Sequence, residues 1–222
     1  MLKAILFDLD GTLVDSNDLH VLAWDEVFRS AGHAFDHQTL HDQVGKGADT
    51  YVQSLLPGLS AQEQKRLGDE HGRIYKEKYL STVKPFPGAR DLLRRCKDAG
   101  YKLVLASSAL GEELQHYLKL LDAGELIDGH TSADDVDRSK PCPDIFQAAL
   151  DQAGVGSAEA LVIGDTPYDI EAASKADLKS IAVRSGKFPD EALTGAIAIY
   201  DDVAELLARF DASPLGRVEA AV

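Results

Sequence analysis

Ala4-Ile5-Leu6-Phe7-Asp8-Leu9-Asp10-Gly11-Thr12 is the stretch that decides how the chain is read. Apolar residues form a strand that runs into two carboxylates one residue apart, then into a glycine turn. On a strand, residues two apart point to the same side. Asp8 and Asp10 therefore converge where the strand ends, unless the turn rotates Asp10. In open parallel sheets, ligands bind at that end. Two acids held together repel, so a cation is the expected companion, and oxygen ligands suit a small hard one such as magnesium. Asp-x-Asp-Gly is also an ordinary solvated turn. The rest of the chain decides between the two.

After a short link over 12–15, residues 16–31 read as a helix. Asp15 or Ser16 is its N-cap and Gly32 its stop. Leu19, Ala23 and Val27, with Leu22, Trp24 and Phe28, form a broad apolar face. A loop with Gly45-Lys46-Gly47 leads to a short helix over 48–56, ended by Pro57-Gly58. Ser60-Ala61-Gln62-Glu63 is a capping box opening a polar helix to about residue 80. Gly68 and Gly72 weaken that helix by up to about 1 kcal/mol each relative to Ala. Nothing in 16–83 reads as a strand.

Pro85-Phe86-Pro87-Gly88 marks a boundary, and beyond it helices and strands alternate. Helices are expected over 89–99, 111–121, 143–153, 167–176 and 203–210, with a short one near Glu191. Strands are expected over 101–106, 130–131, 160–163, 180–183 and 197–200. This alternation implies a parallel sheet covered on both faces. The opening strand belongs to it, yet nearly 70 strand-free residues follow, when a crossover needs only a dozen or more. The economical reading is a core of 1–15 and 85–222 with an all-helical domain, 16–84, inserted as a cap. Residues 211–222 form a tail of weak apolar pattern.

The 222 residues, 45% hydrophobic, suffice for one substantial core with a smaller attached domain. The net charge of −14 gives no basic footprint for nucleic acid and would be repelled by anionic lipid. Cys96 and Cys142 form neither a CxxC pair nor a cluster with histidine, so neither a disulfide framework nor a zinc site is expected. A reducing, cytoplasmic setting is the expectation, given that no signal-peptide pattern or membrane-length apolar run is present. A monomer or a homodimer is compatible with all of this.

Four elements end in polar residues: Asp8/Asp10; Leu103-Val104-Leu105-Ala106-Ser107-Ser108; Ser139-Lys140-Pro141-Cys142-Pro143-Asp144; and Leu161-Val162-Ile163-Gly164-Asp165-Thr166-Pro167-Tyr168-Asp169. Parallel strands gather these groups along one sheet edge, a place for a cation and an anion together. Singly, each has a plainer reading: Ser107 as a cap, Lys140 as a solvated lysine, Asp169 as a partner for a helix dipole. Together, and in this order, they point to a site. Asp134, Asp135 and Asp137 read as a solvated loop.

FDLDGTLVDS, LVLASS, SKPCPD and VIGDTPYD resemble, in order and spacing, the motifs of the haloacid dehalogenase superfamily, within it the magnesium-dependent phosphatases with a helical cap. The resemblance implies an α/β fold: a doubly wound, mainly parallel, Rossmann-like sheet. It implies Asp8 as nucleophile and Asp10 as acid/base, with Ser107 and Lys140 holding the phosphoryl group. It implies magnesium on Asp8, the Asp10 carbonyl and Asp165, supported by Asp169. A phosphate dianion and an attacking carboxylate about 4 Å apart repel by about 1–4 kcal/mol. Magnesium and Lys140 reverse that field. Asp10 then needs a raised pKa to act as an acid.

The implied substrate is a small phosphorylated metabolite, phosphoglycolate or a sugar phosphate. Ser108, Gly45, Lys46 and His20 are candidates to touch it. The glycine-flanked Lys46 is either a specificity loop meeting an anionic group or a plain connector. His20 and Trp24, four apart on one helix face, either meet substrate or pack. His20-x-x-Ala23-Trp24 also resembles the start of beta-phosphoglucomutase, making a sugar phosphomutase the alternative. Asp49, where that relative places an arginine, and Gly164-Asp165 in place of Glu-Asp weigh against it.

Overall fold

The computed structural model describes residues 1–109, 111–132 and 135–216. Asp134 and the end of the tail, 217–222, lie outside the described residues.

Strand β1, Ala4–Phe7, is fully buried, as its unbroken apolar run requires. The chain then makes a tight turn in which Leu13 and Val14 both donate to the Leu9 carbonyl. Residues 12–15 are not merely a link: Val14–Asp15 form β2, which pairs antiparallel with β3, Lys84–Pro85. The helical insertion thus leaves and rejoins the core through two adjacent extended segments. Their pairing is long-range, and strands of two residues carry no periodicity from which to read it.

Between them lie α1 (Asn17–Ser30), α2 (His37–His41), α3 (Ala48–Leu55) and α4 (Ala61–Ile74). Helix α2 escapes a reading by apolar period because it has five residues. Its N-cap is nonetheless conventional, Asp36 Oδ1 accepting from Thr39 N at 2.7 Å. The capping box Ser60/Glu63 forms as expected. Helix α4 runs through Gly68 because Gly68 faces Ala48, and a Cβ there would lie 2.9 Å from the Ala48 Cβ. The expected helix to residue 80 instead changes pitch, to a wider turn over Tyr75–Tyr79 and a tighter one over Leu80–Thr82.

Beyond β3 follow α5 (Ala89–Asp98), β4 (Lys102–Ala106), α6 (Gly111–Leu120), β5 (Gly129–Thr131), α7 (Asp144–Ala153), β6 (Ala160–Gly164), α8 (Pro167–Lys175), β7 (Lys179–Val183), β8 (Ala198–Tyr200) and α9 (Val203–Ala208). The sheet has six strands, all parallel, in the order β5-β4-β1-β6-β7-β8. This is the doubly wound, Rossmann-like order, with β1 between its two halves.

Side chains alternate between faces. Ile5, Phe7, Leu103, Leu105 and Ile163 pack with Leu92, Leu93, Val203 and Leu206 of α5 and α9. Ala4, Leu6, Val104 and Val162 pack with Phe146, Ala149, Ala172 and Ala173 of α7 and α8. Asp8 continues the register of Leu6 and so falls on the side where α7 and α8 begin. Within the described part of the tail, Leu215 is buried, and its carbonyl accepts from Tyr101 Oη at 2.5 Å. No helix among the described residues is long and apolar enough to cross a membrane.

Candidate active site

Asp8 sits directly past the end of β1, its N–H donating to the Ile163 carbonyl at 2.9 Å. Lys140 is 1% exposed, and its Nζ lies 2.5 Å from Asp8 Oδ1 and 2.7 Å from Asp169 Oδ1. Asp165 is 0% exposed. Thr12 donates to Asp165 Oδ1 at 2.8 Å and Asn17 to Oδ2 at 2.9 Å. Gly11, at φ +75°, and Gly186 close over it, and a Cβ on either would lie 2.1 Å from Asp165 Oδ2. Only glycine fits. Asp169 is held in the first turn of α8 by Thr166, whose Oγ1 donates to Oδ2 at 2.7 Å. A Cβ on Gly164 would lie 2.6 Å from the Asp169 Cγ.

Asp8, Asp165 and Asp169 each offer an oxygen within 4.8 Å of the others, all buried. With Lys140, the fully ionised set keeps two net negative charges out of water. Burial first, then Asp169 and Asp10, push Asp8 up to about 7 against the opposing pull of Lys140. Burial and the charges of Asp8 and Asp169 likewise hold Asp165 well above the carboxylate range. Burial alone would lower the Lys140 pKa, but Asp169 and Asp8 more than offset it. A divalent hard cation fits this donor set: oxygen ligands, short separations and a charge deficit of the right size.

Asp10 does not join the three. The turn rotates it toward the insertion, where Ser16 Oγ donates to its Oδ1 at 2.6 Å and His20 Nε2 lies 3.2 Å from the same oxygen. Ser16 occupies the N-cap position of α1 but makes no capping bond, its hydroxyl being given to Asp10. Contrary to expectation, the pKa of Asp10 is not raised. Burial works to raise it, but His20, Ser16 and Tyr117 outweigh burial and hold it below the ordinary carboxylate value. His20 is raised in turn, Asp10 outweighing the effect of burial.

A cavity of about 650 Å³ opens between core and insertion, lined among others by Asp8, Asp10, His20, Lys46, Ser108 and His71. Ser107 is fully buried and its Oγ accepts from Ala109 N at 3.0 Å, leaving Ser108 and Ala109 at the cavity wall. Gly45 and Gly47 also line it, pressed onto the core: a Cβ there would lie 2.7 Å from Thr166 Oγ1 and 2.5 Å from the Ser139 Cβ, respectively. Lys46 Nζ donates to Gln43 Oε1 at 2.6 Å and Ser54 Oγ at 2.9 Å, and stands 4.6 Å over the Tyr168 ring. Ser139 donates to Asp49 and lies 3.0 Å from Thr50 Oγ1, fastening α3 to the residue before Lys140. Trp24 packs, stacked on Tyr51 at 4.4 Å and His71 at 4.1 Å. Sequence reasoning missed Thr12, Asn17, Thr166 and His71. Only for Thr166, followed by Pro167 and Asp169 in a capping pattern, did the sequence carry a signal.

Residues 5–183 match the family model described as haloacid dehalogenase-like hydrolase. The chain belongs to that family and is an enzyme of it, a phosphatase. It is 29% identical to the pyrophosphatase PpaX of Bacillus velezensis over 81% of this chain and 82% of that one. It is 28% identical to the phosphoglycolate phosphatase of Aquifex aeolicus, over 81% and 83%. It also matches the Arabidopsis thaliana protein SUPPRESSOR OF QUENCHING 1, chloroplastic, at 32% identity, but spans only 18% of that longer protein. The crystal structure of a hydrolase from Pseudomonas syringae superposes with a TM-score of 0.89 at 30% identity, over 96% of this chain and 99% of that one.

Proposed function

We propose that the chain is a magnesium-dependent phosphomonoester hydrolase for a small phosphorylated metabolite, acting through an aspartyl phosphate on Asp8, with residues 16–84 as its cap. The observation that carries this reading is the buried Lys140 ammonium joined to Asp169 and to Asp8, which lines the cavity. Magnesium held by Asp8, Asp165 and Asp169, with the Asp10 carbonyl, would supply the positive charge that lets a carboxylate meet a phosphate. Lys140 binds a phosphoryl oxygen, and the Ser107 hydroxyl donates to another. An Asp8 oxygen attacks phosphorus as the bond to the leaving oxygen breaks. Asp10, replenished by the neighbouring His20 whose pKa is raised, passes that oxygen a proton. It then takes a proton from the water that cleaves the aspartyl phosphate, and inorganic phosphate is released.

The cap side carries Lys46 and His20 toward the rest of the substrate. A two-carbon acid phosphate such as phosphoglycolate and a sugar phosphate both suit these groups. Relatives bear the names phosphoglycolate phosphatase and phosphorylated carbohydrates phosphatase. The phosphomutase reading is disfavoured by Asp49, a carboxylate bound to Ser139 where a second phosphate would need a cation. The Asp169 side chain also fills the space a glutamate at position 164 would need.

The test is a screen of phosphoglycolate, hexose phosphates and nucleoside monophosphates with magnesium and with a chelator. Phosphate release that needs magnesium is expected from at least one of them. No turnover above background, or activity indifferent to chelation, contradicts the proposal.

A further inference from the structure

A second imidazole stands behind His20. His71, on α4, places Nε2 3.4 Å from His20 Nδ1. The two rings belong to interleaved pairs, each four residues apart on its own helix: His20 and Trp24 on α1, His71 and Tyr75 at the end of α4. Trp24 stacks on His71 at 4.1 Å and 11°, and His20 stacks on Tyr75 at 3.8 Å and 10°. Tyr51 backs Trp24 at 4.4 Å. His71 is therefore clamped from behind, and both histidines face the cavity.

Stacking on Tyr75 fixes the plane of the His20 ring but not which edge faces Asp10. A half-turn about Cβ–Cγ keeps the plane and replaces Nε2 by a carbon at the Asp10 side, and this torsion is soft. The contact from Nδ1 to His71 distinguishes the two orientations, since the flipped ring would present carbon to His71 as well. With Nε2 so directed and Ser16 on the same oxygen, Asp10 Oδ1 is held on two sides. Fixing Oδ1 in this way fixes the plane of the carboxyl, and so the direction from which the proton reaches the leaving group.

We propose that His71 is a positioning residue for the acid/base Asp10, acting through the edge of His20 that it selects. This rests on the phosphatase reading of the site. Its consequence is a loss that depends on the leaving group. An alkoxide needs the proton from Asp10 as it departs; p-nitrophenolate does not. The ratio kcat/KM reports the steps up to phosphoryl transfer and so isolates this difference.

The experiment compares the wild type, His71→Phe and His71→Gln at saturating magnesium, on p-nitrophenyl phosphate and on the alkyl phosphomonoester found in the screen. In His71→Phe, kcat/KM for the alkyl ester should fall about tenfold, while that for p-nitrophenyl phosphate stays within about twofold. His71→Gln, which keeps a hydrogen-bonding group, should recover most of the loss. Equal losses on both esters, or none on either, would overturn the proposal. Ring nitrogen NMR of His20 in the unliganded protein needs no activity and separates the two questions. The His20 nitrogen shifts should change in His71→Phe, and unchanged shifts refute the role of His71 even if the wild type hydrolyses nothing. A wild type that hydrolyses neither ester refutes the phosphatase reading instead.

Discussion

Lys140 and the two carboxylates it joins, Asp8 and Asp169, bind one another's fates. A buried ammonium between two carboxylates adds little net stability over an apolar filling, but removing one partner leaves charge uncompensated. Lys140→Ala is expected to cost about 3–5 kcal/mol in urea unfolding without metal. Added magnesium should restore part of it, because an ion that binds only the folded site stabilises by mass action. A loss that magnesium does not touch would speak against a cation at this cluster. Asp8→Asn should lower turnover by at least about 10³-fold while leaving the circular dichroism spectrum unchanged. Retained phosphatase activity in the pure variant would remove Asp8 as nucleophile. The order of Asp8, Lys140, Asp165 and Asp169 was legible along the chain, because Asp8 and Asp165 close apolar runs, Asp169 lies in the first turn of a helix and Lys140 opens a proline-rich segment ahead of one. The direction of Asp10 was not. It depends on a turn folded around Leu9 and on donors from α1.

At the scale of elements, the 45–49 loop is the clearest device. Gly45 takes φ +97°, which side chains other than glycine rarely adopt, and both Gly45 and Gly47 bring backbone against Thr166 and Ser139. Asp49 and Thr50 then fasten α3 to Ser139. Gly47→Ala should push the loop off Ser139. The KM of the substrate found in the screen should then rise about tenfold, equivalent to about 1.4 kcal/mol of lost binding, with kcat changing less. A fall in kcat alone would show that the loop serves the chemistry rather than substrate capture. The glycines were visible in the sequence as a candidate specificity loop. That they abut Thr166 and Ser139 was not visible, since those residues lie about 90 and 120 positions away in the chain.

Across the whole molecule, insertion and core also meet at His41. This histidine of α2 is buried against Phe188, with ring centroids 5.0 Å apart. Burial first, helped by His37, lowers its pKa below the ordinary 6.5, against the pull of Gly186, Asp18 and Asp42. The unfolded chain thus takes up the proton more readily than the folded one. The contribution of His41 to stability is complete above pH 6.5 and is lost as pH falls through the lower folded value. His41→Gln should accordingly lose less of its urea midpoint between about pH 7.5 and pH 5.5 than the wild type. An identical loss would mean that His41 is free to charge in place. The amino-acid sequence alone determined the alternating α/β core, the helical insertion and the residues at the strand tips, because apolar period and capping chemistry are local. Only the tertiary structure decided that β1 lies between β4 and β6, that Asp10 turns away from the other acids, and that His71 stands behind His20. Those facts depend on contacts between segments far apart in the chain, which no local pattern encodes.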